Sequence, residues 1–352
     1  MVFSAVPVES KKQINRAGKI LVHGSTNVDE IVWARDLAER WRASHAYPIN
    51  TFQANLRNKL RQFPSESIAA QRLKRMPTII DKLKRHPNMQ LTTMQDIGGV
   101  RAIVSNVTEV NNLVDAFRES KFAHELVDDK DYILCPRDED GYRSHHLIYK
   151  YRNKLAPSYD DLRLELQIRT KLQHTWATAV ETMGTFLGQA LKSRQGDQQW
   201  IDFFALISAA FAHKENAKPV PRFAKFSKLE TYQAVAEAEK RLRALEKMAA
   251  FSVAVAEIGK TQRKIWAYHL IVLNSIEKTV QVRPYDRDSF EIAVRDYSRF
   301  ESEAIGGARI EPVLVSAGPI DKLRKAYPSF FLDINDFVGV VKTIIGTAHR
   351  SS

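Results

Sequence analysis

Cysteine is almost missing from this sequence: Cys135 is the only one in 352 residues. A single thiol excludes a disulfide framework and any paired-cysteine zinc site. It also fits a reducing compartment, so a cytoplasmic protein is expected. Glycine (14) and proline (13) are scarce, which excludes collagen-like and low-complexity chains. No run approaches the roughly 18 consecutive apolar residues that a membrane helix needs. Met1 to Lys12 lacks the apolar centre of a signal peptide, so no membrane association is expected. Zinc spacings such as HExxH are absent too, and no zinc is expected.

What is present is ordinary for a globular chain of two or three domains: 44% apolar and 27% charged residues. The net charge of +12 is less ordinary. It favours an anionic partner, a nucleotide or a nucleic acid.

Apolar spacing predicts helices over 27–45, after a Gly24-Ser25-Thr26 cap signal, and over 50–63. A third helix is expected to start at Ser65 or Ser67 and to kink or break at Pro77. Val100, Ala102 and Val104 alternate as a strand, Thr108 caps a helix, and 145–152 alternates again. The clearest strand is 163–170, with Leu164, Leu166 and Ile168 on one face and Arg163, Glu165, Gln167 and Arg169 on the other. Thr170 and Gln173 form a capping box for the next helix. Residues 214–230, rich in Pro and Lys, read as a linker, and 231–262 as a long helix. A hairpin, a helix, a strand and short terminal helices follow from Ile265. The expected architecture is a mixed α/β sheet flanked by helices (1–215), a linker and connecting helix (216–264), and a small α+β C-terminal domain (265–352).

Three constellations carry chemistry. Asp96, just before a strand, and Glu165, on the polar face of another, are two carboxylates that can hold Mg²⁺ against phosphates, and one can act as a base. The basic run from Arg72 includes Lys74, Thr78 and Lys82, four apart; it reads as a phosphate site or as a solvated helix face. In Gly141-Tyr142-Arg143-Ser144-His145-His146, an aromatic after a glycine offers a stacking face for a base. The two histidines are strand neighbours that point to opposite faces, so they do not share one metal ion.

The order and spacing of RxKxxxTIxxK at 72–82, DIGGVR at 96–101, KDYI…P…GYRSHH at 130–146 and ELQIRT…W at 165–176 resemble the pyrophosphokinase domain of the RelA/SpoT family. The resemblance implies that fold and the transfer of the β,γ-pyrophosphate of ATP to a ribose 3′-hydroxyl. It implies Arg72 and Arg101 around the ATP adenine and Lys74, Thr78 and Lys82 on its phosphates. Asp96 and Glu165 would be the Mg²⁺ ligands, with Glu165 also activating the hydroxyl. Tyr142, Arg143, His146, Gln167 and Arg169 would serve the acceptor. Asp140 replaces the family's usual Asn before the Gly-Tyr pair, which places an acidic residue beside the acceptor loop. No His-Asp dipeptide occurs, so the hydrolase activity of long family members is not expected.

The segments 10–21 and 325–338 resemble the fused toxic small alarmone synthetases called CapRel, toxin–antitoxin chains of anti-phage defence. That resemblance implies pyrophosphorylation of the tRNA 3′-CCA end and a C-terminal pseudo-zinc-finger. It also implies inhibition in cis through Tyr327 and Phe330, and release by a phage protein such as the capsid protein. Lys11, Lys12, Arg16 and Lys19, with Arg152 and Lys154, are candidate tRNA contacts; they read equally as solvated surface. The alternative acceptor is a free guanosine or adenosine nucleotide.

Overall fold

Alternation at Arg163–Thr170 marks the centre of the molecule's larger sheet. The computed structural model describes residues 3–63, 67–186, 198–245, 248, 267–274, 277, 279–308, 310–316 and 335–350. Three helices come first: α1 (Lys11–His23), α2 (Val28–Ser44) and α3 (Ala46–Leu60). Then come β1 (Ile68–Leu73), α4 (Met76–Arg85), β2 (Gly98–Val104), α5 (Val107–Arg118), β3 (Glu125–Asp131), β4 (His145–Lys150) and β5 (Arg163–Thr170). The five strands lie in the order β1-β2-β5-β4-β3. β5 runs parallel to β2 and antiparallel to β4, and the edge strands β1 and β3 are antiparallel to their neighbours.

One face of this sheet is apolar and covered by α3 and α5. Leu164, Leu166 and Ile168 are buried there, each worth about 1.5–3 kcal/mol of transfer free energy. The register puts Arg72, Gly99, Glu165, Arg101, Gln167 and His146 on the opposite face, because paired residues share a side.

Two expectations change here. The described part of that expected helix, from Ser67, is not one helix: 68–73 is the edge strand β1, and Pro77 sits in the first turn of a separate helix, α4, rather than breaking it. Proline is favoured at a first turn, where its missing N–H costs nothing, and the extended N-cap residue before this helix is Arg75. The caps of α2 and α5 are Asn27 and Asn106, each accepting a backbone N–H, rather than the residues the sequence pointed to. The Thr170–Gln173 capping box is present in both directions, at 3.2 and 3.1 Å.

A helical layer follows: α6 (Lys171–Phe186), α7 (Gln198–Glu215) and α8 (Lys228–Leu242). The stretch expected to be a linker is strapped down. Val220 is buried, the Arg222 N–H donates to Asp138 at 2.7 Å, and its guanidinium pairs with Asp202 at 2.6 Å. A three-stranded antiparallel sheet comes next, in the order β7-β6-β8, from β6 (Tyr268–Asn274), β7 (Thr279–Tyr285) and β8 (Ile310–Ser316). Helix α9 (Phe290–Ile305) packs on it through Ala293, Tyr297 and Phe300. The last helix, α10 (Asn335–Arg350), does not join this small unit. Phe337 lies between Phe204 and Phe211 of α7, and Val338, Val341, Ile344 and Ala348 share the core of α6, α7 and α8. Packing therefore cuts across the expected 265–352 unit.

The small unit docks at the β1 edge, with β8 beside β1 and α9 beside α4. Its anchor is Glu301. That carboxylate accepts the Met76 N–H at 2.6 Å and the Tyr297 hydroxyl at 2.8 Å, and it stands 3.8 Å from the buried Arg42 guanidinium. Arg42 also lies over the Tyr297 ring at 4.8 Å. Tyr327 and Phe330, expected to act in cis, lie outside the described residues.

Candidate active site

The polar face of the large sheet gathers most of the residues that the sequence singled out. A pocket of about 70 Å³ is lined by Arg72, Lys74, Asp96, Arg101, Glu165 and Gln167, among others. β1 supplies Arg72, and the turn after it supplies Lys74. The segment before β2 supplies Asp96, and β5 supplies Glu165 and Gln167. Lys74 precedes α4 rather than sharing a helix face with Lys82, yet the two converge. Their ammonium groups each stand 2.8 Å from a different oxygen of Asp96. Burial alone would push that carboxyl up; the two flanking cations outweigh it and hold Asp96 well below the usual carboxylate range. Thr78, in the first turn of α4, does not line the pocket.

Glu165 has a partner on each oxygen. His146 Nδ1 lies 3.0 Å from Oε1, and the Gln167 amide donates to Oε2 at 2.6 Å. The chain of contacts continues from His146 Nε2 to the Tyr142 hydroxyl at 2.8 Å. Burial would lower the His146 pKa, but the Tyr142 and Glu165 charges dominate and raise it to about 9. Burial would raise Glu165, but the imidazolium and its hydrogen bond bring it below its ordinary value. Glu165 is thus an ionised base held by a charged imidazole. Tyr142, whose burial is outweighed by His146 and then Arg169, is drawn down to about 8.

Two guanidinium groups remain under-used. The Nε atoms of Arg101 and Arg169 are buried without a hydrogen-bond partner. Each donates through Nη2 to the Gln167 side-chain oxygen, at 3.4 and 3.2 Å. Burial and the neighbouring Arg101 press the Arg169 pKa downward. Unpaired buried donors beside like charge call for an anion.

Arg143 is not part of this group. It is buried and turned toward α7 and the strap, donating to Ser208 at 3.1 Å and to the Lys218 carbonyl. Tyr142, its neighbour, points instead to His146, so the two face different parts of the molecule. Asp140 does not confront the acceptor side. It is mostly buried, accepts the Tyr142 N–H at 2.9 Å and pairs with Arg137 at 3.4 Å. Arg137, which the sequence reading left without a role, caps the Tyr142 ring at 4.5 Å and Tyr132 at 5.0 Å. His145 and His146 do point apart, His145 reaching Asp129 at 2.7 Å.

Lys11, Lys12, Arg16 and Lys19 lie exposed along one side of α1, with Arg16 paired to Glu30. Arg152 is engaged by Glu125 and Asp161, at 3.4 and 2.9 Å, and Lys154 is exposed. Among the described residues no group of three or more His, Cys, Asp and Glu side chains could hold a metal ion. No described helix is long and apolar enough to cross a membrane.

Residues 71–184 match the family model described as "Region found in RelA / SpoT proteins", and that span contains every residue of the pocket named above. This part of the chain is similar to RelA/SpoT proteins. Among curated relatives, it is similar to GTP pyrophosphokinase YjbM of Bacillus subtilis, 34% identical over 112 residues, which are 30% of this chain and 51% of that protein. GTP pyrophosphokinase YwaC of the same organism is 34% identical over 113 residues, 30% of this chain and 52% of that one. The chain thus spans about half the length of the curated relatives it matches. Among solved structures, small alarmone synthetase 2 from Bacillus subtilis aligns with a TM-score of 0.42 at 20% identity, covering 51% of this chain and 94% of that one.

Proposed function

We propose that this protein is a RelA/SpoT-type pyrophosphokinase that moves the β,γ-pyrophosphate of ATP to a ribose 3′-hydroxyl. The observation that carries the reading is the pairing of an ionised, doubly held Glu165 with two buried guanidinium groups whose Nε donors lack partners. The hydroxyl oxygen attacks the β-phosphorus, the bond to the bridging oxygen of the α-phosphate breaks, and AMP leaves. Glu165 takes the hydroxyl proton, and His146 and Tyr142 keep its orientation. Lys74, Lys82 and Arg72 meet the donor phosphates and base, and Arg101 and Arg169 meet charge that develops during transfer.

Asp96 and Glu165 fit Mg²⁺: one or two carboxylates, completed by substrate phosphates and water, suffice for that ion. Bound there, it would neutralise phosphate charge. The two lysines now on Asp96 are the groups that would pass to the phosphates. The pocket's 70 Å³ is well below the roughly 300–1,000 Å³ of ligand sites, so it must widen to admit ATP. Docking of the small unit at β1 and α4, next to Arg72 and Lys82, supports restraint in cis.

For the acceptor we favour the 3′ end of tRNA, which would make the chain an autoinhibited toxin that blocks translation in anti-phage defence. The net charge of +12 and the exposed basic side of α1 support it. Release by a phage protein such as the capsid protein rests on the family resemblance alone. A second reading, a free guanosine or adenosine nucleotide as acceptor, is favoured by the names of the curated relatives, both GTP pyrophosphokinases.

The deciding experiment incubates the full chain with ATP carrying a labelled γ-phosphate, Mg²⁺, bulk tRNA and a mixture of GDP, GTP and AMP. Label on the tRNA 3′ end, absent with Glu165→Gln, supports the first reading, and Tyr327→Ala should increase it. Label on a free nucleotide supports the second. No transfer by the wild type or by Tyr327→Ala refutes both.

A further inference from the structure

Behind β1 lies a second and much larger cavity, about 440 Å³, between the first unit and the docked small unit. That volume is in the range of sites for small organic ligands. Gln71, on the helix-covered face of β1, and Arg72, on its polar face, line both this cavity and the catalytic pocket, so a single strand separates them.

The lining has a definite chemistry. Five arginines border it (Arg40, Arg42, Arg57, Arg72 and Arg287) against one carboxylate, Glu39. Glu9 and Asp36 neutralise Arg40, while Glu39 and Glu301 neutralise Arg42. Arg57 and Arg287, contributed by opposite sides, have no ion pair among the described residues. Gln53 is 3% exposed, and its amide Nε2 is buried without a hydrogen-bond partner. An unmet buried donor costs about 1–3 kcal/mol unless something accepts from it. Across from it, the small unit presents the paired rings of Tyr268 and Phe290, with centroids 4.8 Å apart.

We propose that this cavity is a binding site for a small phosphorylated molecule with a planar ring, of the nucleoside monophosphate class. The ring packs on Tyr268 and Phe290 with its edge accepting from Gln53, and the phosphate meets Arg57 and Arg287. Because the walls come from both units, the ligand binds the docked state and holds it. Because Arg72 borders both cavities, occupancy here also lowers the affinity for ATP, and ATP lowers the affinity here by the same factor.

The test is calorimetric titration of the full chain with AMP, GMP and inorganic phosphate in turn. Arg57→Glu and Gln53→Leu probe the cavity, and Arg101→Ala probes the catalytic pocket. One monophosphate should bind more tightly than phosphate. Arg57→Glu should weaken it about tenfold or more, whereas Arg101→Ala should change it less than about twofold. Hydrogen exchange over 290–305 should slow on binding. Arg287→Glu, at an exposed edge residue, repeats the test should Gln53→Leu or Arg57→Glu melt early. The proposal is overturned if no monophosphate binds at millimolar concentration. It is equally overturned if phosphate alone binds as well, or if Arg101→Ala abolishes binding that Arg57→Glu and Arg287→Glu leave intact. None of these outcomes depends on whether the protein transfers pyrophosphate.

Discussion

Replacing Glu301 by alanine should loosen the small unit without unfolding the large one. The carboxylate accepts from the Met76 N–H and from Tyr297, and it faces Arg42 at 3.8 Å, all in a buried seam. Breaking a buried ion pair costs about 3–5 kcal/mol when the partner is stranded. Here Arg42 keeps Glu39 at 2.8 Å, so the loss is closer to that of leaving the buried Met76 N–H and Tyr297 hydroxyl without their acceptor, about 2–3 kcal/mol. Docking should then weaken about 30- to 150-fold. Burial, opposed by Arg42 and aided by Glu39, raises the Glu301 pKa to about 7. A carboxyl raised on folding contributes fully below its ordinary value and loses that contribution as pH rises through about 7. The wild type should therefore approach Glu301→Ala as pH increases from 6 to 8, whereas Glu301→Gln, an uncharged acceptor, should stay docked throughout. Amide exchange of peptides covering 68–85 and 290–305, compared between variants at each pH, reads this directly. Wild-type protection in Glu301→Ala at pH 6, or Glu301→Gln behaving like Glu301→Ala, would refute the argument.

Other consequences are simpler to measure. His146, raised to about 9 by its partners, adds stability that is fully present below about 6.5 and lost as pH rises through 9. Urea unfolding of His146→Gln should show a deficit of about 3 kcal/mol near neutral pH that vanishes by pH 10. Gly141 has φ +74°, and a Cβ there would lie 2.8 Å from Ala205 Cα. Gly141→Ala should cost about 3–5 kcal/mol, backbone strain plus a clash, and Gly24→Ala, at φ +81° in open space, about 1–3 kcal/mol of backbone strain alone; denaturant midpoints rank them. Phe337→Ala should cost about 3–5 kcal/mol of the large unit's stability, because its ring is fully buried against Phe204 and Phe211. A melting curve unchanged by that substitution would contradict the packing.

Legibility in the sequence followed the strength of the local pattern. β5 was plain because Leu164, Leu166 and Ile168 alternate with charged residues, and it anchors the whole sheet. The edge strands were not. β1 reads Ile-Ala-Ala-Gln-Arg-Leu with no alternation, and β3 is crowded with acidic residues, as suits an edge that must not pair further. Missing β1 placed Lys74 on a helix with Lys82, although both still reach Asp96 from separate elements. Arg143, next to Tyr142 in sequence, turns to Ser208 of α7, 65 residues away, a pairing that no local pattern announces. The interunit hydrogen bond from Met76 to Glu301 joins residues 225 apart; no window along the chain reveals such a pairing.

The return of α10 to the first core changes what the small unit can do. With α8 on one side and α10 on the other both fixed to α6 and α7, the second sheet is an insertion held at two points, not a tail. Undocked, it remains tethered at both ends. It stays at high local concentration near β1, and redocking needs no encounter from solution. One proteolytic cut on either side would not set it adrift. Deleting everything after 264 would also strip Phe337, Val341 and Ile344 from the first unit. Loss of activity in such a fragment would then report a broken core rather than a missing regulator.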